Sequence, residues 1–394
     1  MSQNKSYIIS AVRTPIGSFG GMYADVSAVE LGTFAITGAL KKAKVEANWV
    51  NEVFMGNVVS ANLGQAPARQ ASIAAGIPPS VPCTTVNKVC ASGMKAVMFA
   101  AQSIELGQNE IVVAGGMESM TQIPFYVPKA RFGYKYGNAT LVDGLVRDGL
   151  EDVYDQCAMG VFADQTAKKY DITREDQDAF AIQSYQRSAL ATEKGILQQE
   201  IIPVSIAQRK GDPLVITEDE EFKKVNFDKI PGLRAAFTKD GTVTAANAST
   251  INDGASALIL ASESAVKKYD LKPIARIVSY ADAAQEPAWF TTAPSLASPL
   301  ALKRAGLTTA DIDYFEVNEA FSVVALAFGK LMDIPGSKIN LHGGAVSLGH
   351  PLGASGARII TTLNNVLAQK DSRYGLATIC NGGGGASAMI IERL

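Results

Sequence analysis

Residues 86–96 read VNKVCASGMKA and join a β-rich run to a helix of small residues. The pattern predicts that the thiol of Cys90 lies at a strand-to-helix corner, over the start of the helix. Free backbone N–H groups and the helix dipole favour an anion there, so we expect a lowered thiol pKa and a nucleophilic thiolate. A free cysteine is also commonly a small buried core residue. This stretch alone leaves both roles open.

The same pattern occurs a second time in the chain. Residues 39–45 (ALKKAKV) match residues 301–307 (ALKRAGL), and an apolar strand is predicted after each. The tripeptide ASG begins 52 residues after Ala39 and 53 residues after Ala301, and it opens a predicted helix both times. Each helix leads to a strand with paired glycines, and the segment GASA follows in both halves. Four matches in one order indicate an internal duplication.

The first copy contains an insertion. Gly115 and Gly254 stand 139 residues apart, whereas the matching glycines of the second copy are nearly contiguous. Alternating helices and apolar strands predict α/β layers in which each sheet is covered on both faces. Two such halves can pack helix against helix, which would bring the two ASG corners together. We therefore predict three units: an N-terminal half (1–116 and 251–270), an inserted loop domain (117–250) and a C-terminal half (271–394).

Composition places limits on function. The chain has 394 residues, of which 47% are hydrophobic, and a net charge of −2, so no basic surface for nucleic acid or anionic lipid is expected. Its four cysteines lack CxxC spacing, which argues against a zinc site and a disulfide framework. An apolar strand begins at Tyr7, which leaves no room for a leader, and no apolar run is long enough for a membrane span. We expect a cytoplasmic protein without membrane insertion.

The second copy supplies reactive side chains near its own corner. His350 lies four residues before the second ASG, between glycine and proline at a helix entry, and we predict a role in proton transfer. The other histidine, His342, is interpreted as a loop residue. Cys380 ends a predicted strand, and the four glycines after it either offer N–H groups to an oxyanion or form only a flexible turn. Asn318 follows another strand, where it either holds a water or shapes a turn.

Over essentially its full length the sequence resembles the thiolase family. The resemblance rests on five blocks that are highly specific together, at residues 87–95, 115–120, 317–321, 343–353 and 380–384. It implies a thiolase-like α/β fold in which two duplicated α/β halves form a five-layer α-β-α-β-α core, with a loop domain inserted in the first half. The loop domain would bind coenzyme A and contribute to oligomerisation. The implied assembly is a homotetramer.

The resemblance also implies a role for each of five residues. Cys90 takes the acyl group from an acyl-CoA as a thioester, His350 activates Cys90, and Cys380 removes the α-proton of the second acyl-CoA. His350 and a water on Asn318 form one oxyanion site, and the N–H groups of Cys90 and Gly382 form the other. The mechanism is ping-pong, with coenzyme A thioesters as substrates and no prosthetic group. Independently, joining two thioesters requires an acyl carrier, a base and two places for negative charge.

Within the family, residues 245–249 and 343–348 resemble acetoacetyl-CoA thiolases, including a potassium-responsive mitochondrial type. The resemblance assigns substrate contacts to Ser249, Met159, Lys223, Phe321 and Ala245. It assigns a possible potassium site to Tyr185, Ala245, Ala246, Ala248 and Val346. The match departs from that type at Thr291, where proline is usual, at Ala158, where histidine is usual, and at His342, where asparagine is common.

These features predict an acyltransferase that reversibly condenses two acetyl-CoA into acetoacetyl-CoA and coenzyme A, at the start of a mevalonate or sterol route. One alternative is a degradative 3-ketoacyl-CoA thiolase of broader chain length. A ketoacyl synthase relative fits less well, because such enzymes lack the second cysteine. A non-catalytic scaffold that binds coenzyme A or lipid is the third alternative, and it would be expected to have lost at least one catalytic position.

Overall fold

The computed structural model describes residues 4–394 of the chain, and no helix in that part is long and apolar enough to cross a membrane. The strands are β1 Ser6–Arg13, β2 Gly17–Ser18, β3 Glu52–Gly56, β4 Cys83–Val86, β5 Ile111–Ser119, β6 Phe125–Tyr126, β7 Val142–Asp143, β8 Val204–Ile206, β9 Leu214–Ile216, β10 Asn252–Ser262, β11 Ala275–Ala284, β12 Tyr314–Val317, β13 Tyr374–Asn381 and β14 Gly385–Arg393. The helices are α1 Ala28–Ala43, α2 Pro67–Ala74, α3 Ser92–Glu105, α4 Met159–Lys169, α5 Arg174–Glu193, α6 Glu263–Lys268, α7 Pro294–Ala305, α8 Ser322–Met332, α9 Ala345–Leu348 and α10 Leu352–Gln369.

Ten strands form one sheet in which the duplication is visible. Its order is β12-β13-β14-β11-β1-β10-β5-β3-β4, and β2 pairs with β10. In the first half β3 and β5 are parallel, and β5 and β10 are antiparallel. In the second half β12 and β13 are parallel, and β13 and β14 are antiparallel. A short antiparallel contact between β1 and β11 joins the two halves.

Five layers are built on this sheet. α1 and α2 cover one face of the first half, α7 and α8 cover one face of the second half, and α3 and α10 lie between the halves. Three clusters of buried apolar side chains fill the spaces between these layers. The predicted α-β-α-β-α arrangement is therefore confirmed.

The two central helices touch through glycines. A Cβ on Gly93 would come within 2.8 Å of the carbonyl oxygen of Gly353, and one on Gly356 within 2.4 Å of the amide nitrogen of Met94. Only glycine permits such an approach, because packed interiors leave no room for an added methyl group. Gly93 and Gly356 end the two ASG tripeptides. The repeat found in the sequence thus contains a close contact between the two halves.

The start of α10 differs from the expectation. The helix was expected to open at the second ASG, but it begins at Leu352, so that the tripeptide lies in its first turns. Pro351 precedes the helix, and its fixed φ is compatible with a helix start. The predicted catalytic His350 therefore lies directly before the helix rather than several residues upstream of it.

The inserted segment is less regular than the two halves. It contains α4, α5 and the small hairpins β6–β7 and β8–β9. Thr173 and Asp176 form a capping box at the start of α5. The expected boundary after residue 116 cuts through β5, which stays paired with β10 as far as Ser119.

A buried ion network links the insertion to both halves. The guanidinium of Arg13 on β1 donates to Glu200 at 2.7 Å and to both carboxylate oxygens of Asp219 at 2.6 and 2.9 Å. Glu200 also accepts from Thr362 and Asn365 of α10, each at 3.0 Å. These contacts fix the insertion over the centre of the molecule, where the candidate site lies.

Candidate active site

The corner that carries Cys90 is shaped by local hydrogen bonds. The amide of Lys88 donates to Ser92 Oγ at 2.8 Å, and the Ser92 hydroxyl donates to the carbonyl of Val89 at 2.6 Å. The amide of Val89 donates to Asn87 Oδ1 at 2.9 Å. Val89 has a φ of 48°, a conformation that costs a β-branched residue about 1–3 kcal/mol. The corner is thus held in a strained shape that presents Cys90 at the start of α3.

Cys90 rests at this corner as a thiol. Burial raises its pKa to about 12, although the N–H groups of Gly382 and of Cys90 itself donate toward the sulfur and oppose the shift. The charge of Glu118 adds to the increase. The expectation of a lowered pKa is wrong, because desolvation of the sulfur in the packed centre outweighs the favourable start of α3. The two N–H groups predicted for an oxyanion site nevertheless converge on this sulfur.

The ring of His350 is held in one tautomer. Ser355 Oγ lies 2.9 Å from the carbonyl of Pro351, so its single hydrogen is donated there. His350 Nδ1 lies 2.6 Å from the same Oγ and must therefore be the donor in that contact. The Nε2 atom therefore carries no hydrogen and can accept a proton. Burial, and then the charge of Arg358, lower the pKa of His350 to about 3, so the ring is neutral.

Asn318 and Cys380 complete the group. Asn318 follows β12 and lies with its Nδ2 3.5 Å from His350 Nε2. Cys380 lies near the end of β13, and burial, followed by the adjacent Cys90, raises the pKa of its thiol. All five residues predicted for catalysis, in both halves of the chain, therefore lie at one site. In the resting site each titratable member is neutral, since burial disfavours every charged form.

A cleft leads to this group. It has a volume of about 650 Å³, its walls are mostly apolar, and His350 is part of the lining. An inner chamber of about 60 Å³ is lined by Cys90, Gly382 and Phe290 among others. The cleft and the chamber share six lining residues, so one opens into the other: Leu150, Met159, Ser249, Phe321, His350 and Leu352.

Comparison with known proteins identifies the family. The description "Thiolase, N-terminal domain" matches residues 6–264, and "Thiolase, C-terminal domain" matches residues 271–393. The chain belongs to the thiolase family.

The alignments with individual relatives and with a solved structure cover nearly the whole length of this thiolase. It is 56% identical to an acetyl-CoA acetyltransferase of Schizosaccharomyces pombe, with both chains covered completely. It is 52% identical to a cytosolic acetyl-CoA acetyltransferase of Gibberella zeae (98% of each chain) and to a mitochondrial one of Mus musculus (99% of this chain, 92% of the relative). The crystal structure of Acat5 thiolase from Ascaris suum in complex with coenzyme A superposes with a TM-score of 0.94 at 49% identity, covering 99% of this chain and 100% of that one.

The predicted substrate contacts of this thiolase divide in two groups. Ser249, Met159, Phe321 and Ala245 line the cleft. Lys223 is not part of this lining, and its ammonium is paired with Glu218 at 2.6 Å on the surface. The cleft wall instead contains the next residue, Lys224, which is half exposed and whose ammonium is paired with Glu220 at 2.9 Å. Sequence reasoning could not separate two adjacent lysines, since their directions depend on the short helical turn that contains them.

The predicted potassium residues of the thiolase are also spread over several segments. Tyr185 on α5 and Val346 on α9 belong to one buried apolar cluster, while Ala245 and Ala248 line the cleft. Ala246 lies between the last two in the chain. Within residues 4–394 no cluster of three or more His, Cys, Asp or Glu side chains could hold a metal ion.

Two supporting residues of the thiolase were missed from the sequence. Ser355, which fixes the His350 tautomer, was seen only as part of the ASG repeat. Glu118, at the end of β5, is fully buried and accepts from the amides of Val58 at 2.9 Å and Gly353 at 2.8 Å. It thereby ties the loop after β3 to the first turn of α10. A carboxylate near the end of a buried glycine-rich strand is the signal that could have identified it.

Proposed function

We propose that this thiolase is an acetyl-CoA C-acetyltransferase, which condenses two acetyl-CoA into acetoacetyl-CoA and coenzyme A and also catalyses the reverse reaction. The observation that carries the proposal is the convergence of two neutral thiols and a neutral imidazole with an unprotonated Nε2 at the end of an apolar cleft. The names of the relatives support the same activity.

In the first half-reaction Cys90 becomes acetylated. Its proton moves to His350 Nε2 as the sulfur attacks the thioester carbonyl of acetyl-CoA. The N–H groups of Cys90 and Gly382 stabilise the oxyanion of the tetrahedral intermediate. When the C–S bond breaks, Cys380 gives its proton to the leaving coenzyme A thiolate. The products are acetyl-Cys90, coenzyme A, an imidazolium at His350 and a thiolate at Cys380.

In the second half-reaction a carbon–carbon bond forms. The Cys380 thiolate removes an α-proton from a second acetyl-CoA, and the imidazolium, through its Nε2–H, stabilises the enolate oxygen together with a water on Asn318. The enolate carbon attacks acetyl-Cys90, and the Cys90 thiolate leaves and recovers its proton from His350. Cys380 has regained its proton, so every group returns to its starting state.

The size of the inner chamber favours a short acyl group. Its volume of about 60 Å³, against about 650 Å³ for the cleft, suits a two-carbon acetyl group better than a long chain. Phe290 and Leu352 close its walls. Assays with ketoacyl-CoA substrates of increasing length separate this enzyme from a broad-chain degradative thiolase. Equal turnover of long chains would favour the degradative alternative.

Coenzyme A would lie along the larger cleft. Ser249, Met159 and Phe321 are proposed contacts for its pantetheine arm, and Lys224 is a better candidate than Lys223 for its phosphates. Replacing Lys224 by Gln should raise KM for acetyl-CoA with little change in kcat, because the lost charge binds ground state and transition state alike. Lys223→Gln is the matched control.

A potassium ion is a further proposal. Tyr185, Ala245, Ala246, Ala248 and Val346 would offer a phenol and backbone carbonyls, the oxygen donors that hard cations prefer. Such an ion would stabilise the loop at residues 244–249, which carries Ser249. Thermal stability measured in potassium, sodium and choline chloride at one ionic strength tests this; equal melting temperatures would contradict it.

Assembly, location and pathway are also proposed. We expect a homotetramer, because the insertion exposes large apolar side chains such as Phe132, Tyr136 and Leu141, and sedimentation analysis of the intact protein measures this directly. We expect a cytosolic enzyme that supplies mevalonate and sterol synthesis. Relatives include both a cytosolic and a mitochondrial protein, so fluorescence localisation of the tagged full-length chain is the test.

Transfer of radiolabelled acetyl groups tests the central proposal. Incubation with labelled acetyl-CoA should label the wild-type protein on Cys90, and Cys90→Ser should abolish the label. Cys157→Ser is the matched control, because Cys157 is another free cysteine and lines neither the cleft nor the inner chamber. Unlabelled wild-type protein, or a fully labelled Cys90→Ser variant, would overturn the proposed function.

A further inference from the structure

Behind His350 lies a buried arginine whose charge is poorly compensated. Arg358, on α10, is 2% exposed, and its NH1 lies 3.8 Å from a carboxylate oxygen of Glu316 on β12. This is an ion-pair distance but exceeds a hydrogen bond. Within the part of the chain that the structure describes, Nε and NH1 of Arg358 have no hydrogen-bond partner, and neither has either carboxylate oxygen of Glu316.

Such a pair contributes little to the stability of the fold. Removing a guanidinium from water is unfavourable, and a carboxylate offsets this only with good geometry and further hydrogen bonds. Arg13 shows the well-compensated form in the same protein, because it is held by two carboxylates at 2.6–2.9 Å. Retention of a weakly compensated charge beside a reactive site points to a functional use.

The contact of Arg358 with Asn318 shows what this use is. Arg358 NH2 lies 3.5 Å from Asn318 Oδ1, and a guanidinium can only donate. The amide oxygen of Asn318 must therefore face Arg358, which turns Nδ2 toward His350 Nε2, also at 3.5 Å. Without this donor the Asn318 amide could rotate and present its oxygen to the site.

We infer that Arg358 is a positioning residue that fixes the amide of Asn318 with its N–H groups toward the enolate oxyanion site. This inference rests on the proposed function, and it concerns the second half-reaction. Acetylation of Cys90 uses the N–H groups of Cys90 and Gly382 instead, so it does not require the orientation of Asn318. A change at Arg358 should therefore slow carbon–carbon bond formation selectively.

Two rates measured on the intact enzyme test the inference. One is transfer of labelled acetyl from acetyl-CoA to Cys90, and the other is formation of acetoacetyl-CoA. In Arg358→Gln and Arg358→Lys we expect acetyl transfer within about threefold of wild type and condensation slower by about 10–100-fold, as for a misplaced oxyanion donor. Glu316→Gln is the matched control. Neither carboxylate oxygen of Glu316 makes a hydrogen bond within the part of the chain that the structure describes, so near wild-type rates are expected.

A double-variant comparison separates positioning from general damage. If Arg358 acts through Asn318, Arg358→Gln combined with Asn318→Ala should condense no more slowly than Asn318→Ala alone, within about threefold. The inference would be overturned if the losses in condensation rate of the two single variants multiplied in the double variant. It would also be overturned if acetyl transfer and condensation slowed equally, or if condensation slowed by less than about threefold in both Arg358 variants. If Arg358→Gln does not fold, the lysine variant carries the same comparison. Failure of wild-type protein to accept acetyl on Cys90 would instead contradict the proposed function.

Discussion

Protonation of Cys90 in the resting enzyme gives a pH dependence unlike that of an activated thiolate. The raised pKa of about 12 means that the thiol keeps its proton at every lower pH. At pH 7 the thiolate fraction is then about 10⁻⁵, whereas an unperturbed cysteine would be a few per cent ionised. A cysteine paired with an imidazolium would be largely ionised at the same pH.

Ultraviolet absorbance of thiolates measures this fraction. Spectra of wild type and Cys90→Ser, recorded from about pH 6 to 10, isolate Cys90 because the three other cysteines cancel in the difference. We expect a flat difference throughout this range. Thiolate absorbance that is present at pH 7 and lost in Cys90→Ser, or a step centred below pH 9, would refute the neutral resting state.

Replacing the base gives an independent second measurement. If Cys90 holds its proton until the attack, His350→Gln should slow acetyl transfer by about 10²–10⁴, the usual contribution of a general base. A preformed thiolate would already carry the negative charge, so its rate of acetyl transfer would fall much less in His350→Gln. His342→Gln is the matched control, since that histidine is also buried but is not part of the site. A loss below about threefold in His350→Gln would contradict the mechanism.

Three further outcomes follow from the packing and hydrogen bonds. Ser355→Ala removes the acceptor that fixes the His350 tautomer, and steady-state assays should show kcat lower by about 10-fold or more with KM nearly unchanged. Gly93→Ala places a methyl group within 2.8 Å of the α10 backbone, so thermal unfolding should show that the free energy of unfolding falls by about 1–3 kcal/mol or more. Gly232→Ala, which adds its methyl group in open space, should leave the free energy of unfolding unchanged. Thr291→Val breaks a buried 2.6 Å hydroxyl contact with a threonine of α4 and should cost about 1–3 kcal/mol in urea unfolding.

The duplication made it possible to predict the fold and the catalytic group from the sequence. Glycines at matched positions are visible in the sequence, and they are the residues through which α3 and α10 touch. The pKa of Cys90 was not accessible, because desolvation depends on layers contributed by both halves of the chain. The start of α10 was missed for a local reason, since Pro351 suggests a break in sequence but here stands directly before the helix.

Equivalent positions in the two halves have different uses. Met117 pairs with Ala255, and Cys380 pairs with Ala386. The two alanines hold the same place in the GASA segments, so the first half has a thioether where the second half has its acid–base thiol. A thioether cannot exchange a proton at this position, so the first half lacks this part of the chemistry.

The asparagines after β3 and β12 show what the first half does instead. Asn57 Nδ2 donates to Glu118 at 2.9 Å, and Glu118 accepts from the amide of Gly353 in the first turn of α10. Asn318, the counterpart of Asn57 in the second half, directs its Nδ2 toward His350. In the first half, therefore, the equivalent positions hold the helix that follows the catalytic histidine, and in the second half they face the reacting groups. The repeat could predict where these side chains lie, but the division of roles follows from the single carboxylate, Glu118, that only the first half provides.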